Sequence, residues 1–210
     1  MSRIIDLTLT LSDGDRGVSI LPARRLETDG WNATTLSLYS HCGTHLDAPV
    51  HFGVTGETID RLPLERLVGP AWVADVTNAG AHQLIEPQHL GDVADKLDSD
   101  DGLIIRTGWS RHYGRAAYRD ELPRIGERLA RWCVDHKLRI LGVEPPSVAD
   151  VNNLDELARI HRIMLGAGII IVEGLTNLDK ISTDKVTLVA LPLKIAGGDG
   201  APARVLALED

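Results

Sequence analysis

Cysteine and aromatic residues are scarce in this chain of 210 residues, which has two cysteines, one phenylalanine and 4% aromatics in all. Two thiols, Cys42 and Cys133, do not make the disulfide framework of a secreted scaffold. A reducing, cytoplasmic setting is the expectation. No apolar run approaches the roughly 20 residues of a membrane span. The opening MSRIIDLTLTL has no long apolar core of a secretion leader, so no membrane partner is expected. No tract rich in Lys and Arg occurs and the net charge is −8, which argues against nucleic acid as a partner. A Gly-x-Ser-x-Gly elbow is missing, which removes the usual serine hydrolase. There is no low-complexity linker, long charge run or internal repeat, so one domain over residues 1–210 is expected. What is present in bulk is ordinary for a folded domain: 43% hydrophobic and 25% charged residues, enough for one buried core.

Eight short runs have strand character: residues 4–9, 34–40, 71–76, 103–107, 139–143, 169–173, 186–193 and 204–208. Residues 35–39 alternate, which predicts one buried face and one wet face. Residues 169–172 are apolar throughout and read as a central strand. Three helices are predicted. The first spans 86–97, with Pro87 in its first turn. The second spans 122–136 and gathers Leu122, Ile125, Leu129, Trp132 and Cys133 on one stripe. The third spans 154–165 and ends at Gly166 and Gly168. Residues 194–202 read as a turn or loop, with a plain hairpin turn at Gly197-Gly-Asp-Gly200. Strands and helices mix without strict βαβ alternation, which predicts a mixed-sheet α/β fold.

The most informative stretch is His41-Cys-Gly-Thr-His45-Leu-Asp47-Ala-Pro-Val-His51-Phe. Imidazole nitrogens and carboxylate oxygens are ligands for a divalent metal. Pro49 pushes Ala48 towards an extended conformation, so a helix through this segment is disfavoured. In an extended piece His45 and Asp47 face the same side. His41 can join them across a bend at Gly43. Three ligands from one short segment lose little loop entropy on coming together. His51 lies close enough to reach the same pocket without being a ligand. Two distant candidates are weaker by themselves. His161 falls on a candidate helix among apolar residues, where a structural role is the simpler reading. Glu173 ends an apolar run, where a carboxylate needs either an ion pair or a metal. Trp109 reads equally as pocket wall or core. Cys42 adjoins His41, but successive side chains of an extended segment point apart, and a small buried cysteine is the plainer reading.

The motif resembles the signature of the metal-dependent cyclase-like hydrolases, a family that includes bacterial kynurenine formamidases and isatin hydrolase. The likeness extends to the opening Ile-Ile-Asp-Leu-Thr, to Arg106-Thr-Gly-Trp109, Gly142-Val-Glu-Pro-Pro-Ser147, the segment from His161 to Glu173, and Leu191-Pro-Leu-Lys194. It implies a swivelling β/β/α fold and a homo-oligomer, a dimer or tetramer. It implies two divalent ions, commonly zinc, with manganese in some relatives. By position, His41, His45 and Asp47 would hold the first ion, Asp47 and Glu173 would bridge, His161 would hold the second, and His51 would transfer protons. The reaction implied is hydrolysis of a small amide, arylformamide-like or cyclic. A lyase or cyclase reaction on the same ions is the alternative, and a non-catalytic metal-binding protein is a further one. One departure stands out. Formamidases carry a Trp-Pro-Gly-Asp-Thr-Pro-like stretch after the first strand, whose tryptophan meets the aromatic substrate. Here residues 11–20 read Leu-Ser-Asp-Gly-Asp-Arg-Gly-Val-Ser-Ile, without tryptophan, and Trp31 lies farther on.

Overall fold

The computed structural model describes residues 3–54 and 56–209. Its strands are β1 (Arg3–Asp6), β2 (Val18–Arg24), β3 (Ala33–Leu38), β4 (His45–Asp47), β5 (Val68–Asp75), β6 (Leu84–Ile85), β7 (Gly102–Arg106), β8 (Arg124–Ile125), β9 (Ile140–Val143), β10 (Ile170–Glu173), β11 (Lys185–Pro192) and β12 (Gly200–Glu209). The helices are α1 (Leu26–Asp29), α2 (Leu64–Leu67), α3 (Ala116–Asp120), α4 (Glu127–Asp135) and α5 (Leu154–Gly166). Eight strands form one mixed sheet in the order β1-β12-β11-β5-β7-β9-β10-β4. Because β4 also pairs with β12, seven of them close into a barrel, with β1 alongside the far end of β12. Strands β5, β7, β9 and β10 run parallel to one another, and the remaining pairings of this sheet are antiparallel.

Strand periodicity divides the apolar residues into two cores. Ile104, Ile140, Ile170 and Val172 join Leu46, Leu188 and Val205 in one cluster, which fills the barrel. Leu103, Ile105, Leu141 and Ile171 join Leu129, Cys133, Ile160 and Met164 in another, beneath α4 and α5. Neighbouring residues thus face opposite ways, and both faces of the parallel strands are covered. That is why residues 103–105 and 169–172 are apolar without alternation. Parity also orients the polar ends of these strands. Leu46 and Val172 point into the barrel. His45, Asp47 and Glu173 therefore point outward, towards α5, and His45 pairs directly with Glu173 in the register.

Several elements differ from the sequence expectation for identifiable reasons. Residues 87–95 form a 3₁₀ segment, not an α-helix, because Gly91 takes φ +57° and breaks the run. The helix expected from residue 122 starts at Glu127, since Arg124–Ile125 pair with Leu84–Ile85 as β8 on β6. Residues 194–202 are not all loop: Gly200, Ala201 and Pro202 pair with Asp47, Leu46 and His45 and complete the barrel. The alternation in residues 35–39 marks no buried face. Strands β2 and β3 form a separate two-stranded ribbon in which residues 34–37 are exposed on both sides.

The junction after β10 is the tightest in the barrel. Gly174 has φ +70°, and a Cβ there would run into the backbone carbonyl of Gly43. Its own carbonyl accepts the Thr44 hydroxyl at 2.5 Å. Gly174→Ala is expected to lower unfolding stability by about 1–3 kcal/mol from the left-handed backbone alone, with the clash adding to that. Urea unfolding checks this, and an unshifted midpoint contradicts it.

Candidate metal centre

The predicted ligands converge on the outer face of the barrel, where β4 and β10 meet α5. His45 and Asp47 lie two apart on β4 and share a face. Glu173, at the end of β10, stands beside His45. Helix α5 is amphipathic and delivers His161 from its buried stripe, along with Ile160, Met164 and Leu165. His41 arrives across Gly43, whose φ of +59° supplies the expected bend. His51 sits on a 3₁₀ turn, Pro49–Phe52, opened by the proline.

The distances are those of one cluster. His41 Nδ1 lies 2.8 Å from Asp47 Oδ1. His45 Nε2 is 3.6 Å from Asp47 Oδ1 and 3.3 Å from Glu173 Oε2. His161 Nε2 is 3.5 Å from Asp47 Oδ2 and 3.4 Å from Glu173 Oε1. Among the described residues three sets of donor atoms are compact enough for an ion: His41–His45–Asp47 and Asp47–His161–Glu173, which share Asp47, and the less buried His41–His51–Asp199. His51 belongs only to the third. Its ring stacks on His41 with centroids 3.9 Å apart.

The outer nitrogens of two of these rings are held by backbone carbonyls, which can only accept. His45 Nδ1–H donates to Gly43 O at 3.1 Å and His161 Nδ1–H to Leu157 O at 2.7 Å. Each ring thereby turns Nε2 towards the carboxylates, as metal-ligating histidines do. Yet His45 Nε2 and Asp47 Oδ2 are fully buried and accept or donate no hydrogen bond. Polar atoms buried without a partner cost about 1–3 kcal/mol each. A divalent cation would satisfy both, so the donor set fits a metal in chemistry and in position.

The charges are mutually dependent. Burial works against ionised Asp47, but the His41 hydrogen bond and the charges of His45, His41 and His161 hold its pKa well below the carboxylate range. Burial likewise opposes charge on His41, but hydrogen bonding and charge from Asp47, then Asp199, raise its pKa to about 9. His51 goes the other way: burial, with His41 and His161 nearby, lowers its pKa, so it stays neutral and able to accept a proton.

Above the cluster opens a cavity of about 520 Å³, within the size range of small-molecule sites. Its floor carries His41, His45, His51, His161 and Glu173, and its walls carry Tyr39, Phe52, Tyr113, Tyr118, Pro146 and Val151. Arg16, Arg115, Arg119, Asp15 and Asp120 also line it. Trp109 is core: it is 4% exposed, and its indole N–H donates to Tyr118 O at 2.9 Å. The exposed Trp31 is not among the lining residues. Cys42 touches the cavity but is buried, and burial raises its thiol pKa, which is the wrong direction for a nucleophile. Glu144 explains two of the motif segments. Its carboxylate accepts the Thr107 N–H at 2.7 Å, the Thr107 hydroxyl at 3.0 Å and the Ser110 hydroxyl at 2.9 Å, and also the Gly108 N–H. This latch fixes the Pro-Pro-Ser147 turn that walls the cavity. Asp199, passed over in the sequence as part of a glycine-rich turn, stands against the cluster, with Oδ2 at 3.2 Å from His41 Nε2. Its only sequence signal is a carboxylate placed in a turn that glycine alone could make.

The Cyclase family, described as "Putative cyclase", matches residues 5–150. A kynurenine formamidase from Salinibacter ruber is 35% identical over 210 residues, covering 98% of this chain and 94% of the relative. Isatin hydrolase A from Ralstonia solanacearum superposes with a TM-score of 0.87 at 25% identity, over 100% of this chain and 92% of that one. Isatin hydrolase A from Labrenzia aggregata, bound to benzyl benzoate, gives 0.86 at 25% identity, over 99% and 94%. By motif, site and nearly its whole length, the chain belongs to the Cyclase family of metal-dependent hydrolases.

Proposed function

We propose that this chain hydrolyses a small aryl amide, a formamide or a cyclic amide, as one domain spanning residues 1–210. The observation that carries the reading is the pair of orphaned buried atoms, His45 Nε2 and Asp47 Oδ2, at the floor of an open cavity. The names of its relatives, kynurenine formamidase and isatin hydrolase, supply the amide class. His41, His45 and Asp47 would hold a first divalent ion, and Asp47, Glu173 and His161 would hold a second. Imidazole-rich ligation favours zinc, with manganese as the alternative. When bound, such ions would bring the pKa of water down to about 7 and polarise a carbonyl. The barrel with α4 and α5 on its outer face is in keeping with the swivelling β/β/α arrangement. The two free, buried cysteines suit the cytoplasm.

The chain's own groups divide the remaining work. His51 has Nδ1 at 3.6 Å from Asp199 Oδ2, which leaves Nε2 to take a proton from the attacking water. The water oxygen bonds to the amide carbon, the C–N bond breaks, and His51 returns the proton to the leaving nitrogen. Phe52 stacks on His161 with centroids 4.4 Å apart and shields that ligand from solvent. His51→Ala should retain its metal and lose turnover by about 10²–10⁴-fold; unchanged hydrolysis of N-formylkynurenine, isatin and simple aryl amides would sink this role. Asp47→Ala, by contrast, should lose the metal itself, and full occupancy by elemental analysis counts against its place as shared ligand.

Metal-free protein should show a definite pH response. His41 has its folded pKa raised to about 9 from 6.5. Its stabilising contribution is therefore complete below about 6.5 and disappears as pH rises through about 9. Melting temperature of chelator-treated protein is expected to fall over that window, while zinc affinity rises because metal competes with the proton. A flat melting profile from pH 6 to 10 contradicts the His41–Asp47 pairing.

The ribbon of β2 and β3 supports a homo-oligomer. A two-stranded ribbon alone is marginal in water, and here Leu21, Leu26, Trp31 and Leu36 are each more than half exposed. A second copy is the covering surface we propose. Leu36→Glu is expected to shift a dimer or tetramer towards monomer in sedimentation velocity. A wild-type monomer at micromolar concentration overturns this.

A further inference from the structure

Each of the three ligand rings has one nitrogen turned away from the shared carboxylates, and something must hold it. For His45 and His161 that partner is a backbone carbonyl. For His41 it is a side chain, Asp199, whose Oδ2 lies 3.2 Å from Nε2 while Nδ1 faces Asp47 Oδ1 at 2.8 Å. Asp199 comes from the turn before β12, 158 positions away in sequence. It is held there because its carbonyl accepts the Ala48 N–H at 2.9 Å, one residue past Asp47. The approach is possible only because Gly200 follows: a Cβ there would stand 2.7 Å from His41 Cε1 and 2.6 Å from Leu46 O. The same Oδ2 lies 3.6 Å from His51 Nδ1, and the rings of His41 and His51 are stacked. One carboxylate oxygen thus sits at the edge of both rings, one belonging to a ligand and one to the proton carrier.

We infer that Asp199 is a positioning residue: by accepting the Nε2–H of His41 at 3.2 Å it keeps the Nδ1 lone pair aimed at the metal position. The inference rests on the metal reading above. A carboxylate behind a ligand histidine fixes its tautomer and ring angle and raises its basicity, and losing such a partner typically costs 10–100-fold in metal affinity. Only His41 receives a charged partner of this kind, so the effect should be concentrated there. Asn at this position retains an acceptor oxygen and loses the charge. It should therefore keep the tautomer and surrender only part of the affinity.

The test uses the full chain as wild type, Asp199→Ala and Asp199→Asn, loaded with zinc. Competition against a chromophoric chelator reads affinity, and long-range ¹H–¹⁵N spectra read the protonated nitrogen of each histidine ring. Zinc-loaded wild type is expected to show His41 protonated at Nε2 and bare at Nδ1. Asp199→Ala should bind zinc 10–100-fold more weakly and lose the sharp Nε2–H signal of His41, with His45 and His161 unchanged. Asp199→Asn should keep that signal and fall between the two in affinity; if the alanine variant does not fold, the asparagine variant bound as tightly as wild type overturns the proposal. Affinity within twofold and an unaltered His41 ring in a folded Asp199→Ala overturn it too, whatever happens at His51. A wild-type chain that takes up no zinc sinks the metal reading and this inference together, whereas zinc-replete wild type with an indifferent Asp199→Ala sinks the inference alone.

Discussion

Two carboxylates buried side by side set the terms for this structure. Asp47 and Glu173 are 1% and 4% exposed, and each raises the cost of ionising the other. Removing one such ion from water costs several kcal/mol after relaxation, so an isolated pair would simply take up protons. Here three imidazoles lie within 3.6 Å of them, and the Val148 N–H donates to Glu173 at 2.7 Å. The rings favour the ionised carboxylates, and the carboxylates in turn raise the pKa values of His41, His45 and His161. A cluster so balanced has no stable half: removing one member leaves an uncompensated charge in a dry place. A divalent cation would answer that demand from outside the chain.

The barrel is what makes the pair unavoidable. Strand β4 is three residues long, yet it is bonded on one edge to β10 and on the other to β12. Its parity therefore cannot slip, since a one-residue shift would drive His45 and Asp47 into the barrel and Leu46 out of it. Close backbone approach at Gly174 and Gly200 removes the slack that side chains would introduce. Helix α5 then covers the outward face, because the parallel strands beside it have apolar residues to bury on that side. The placing of this His and carboxylate cluster is thus a by-product of closing the barrel with a short polar strand.

Much of this was readable from the chain. His41, His45 and Asp47 share one short segment, and local geometry alone brings them together. His161 and Glu173 lie more than a hundred residues away, and only the family resemblance pointed to them with any force. What residue types could not show was which strand pairs with which: that β12 begins at Gly200 depends on a partner at the other end of the sequence. For the same reason Asp199 looked like turn filler. The broken helix at residues 87–95 and the exposed ribbon of β2 and β3 failed for a different reason. Their apolar patterns are real, but Gly91 defeats one, and among the described residues no element covers the other.

The missing tryptophan in residues 11–20 now has a structural meaning. That segment does reach the cavity, and it contributes Gly14, Asp15 and Arg16. Asp15 is held in place by the Tyr113 hydroxyl, which donates to it at 2.9 Å, while Arg16 is exposed. Arg115, also exposed, lines the same cavity. So where formamidases carry an aromatic surface on this segment, this chain presents charges of both signs, and its aromatic surface comes from Phe52, Tyr113 and Tyr118 instead. Floor and rim are therefore built by different rules. The floor stands on paired strands and a long helix, which hold side chains to a fixed geometry, and it determines the chemistry. The rim stands on loops, which tolerate substitution. Arg16, Arg115, Asp15 and Asp120 give that rim charges of both signs, set apart from the fixed imidazole and carboxylate geometry of the floor.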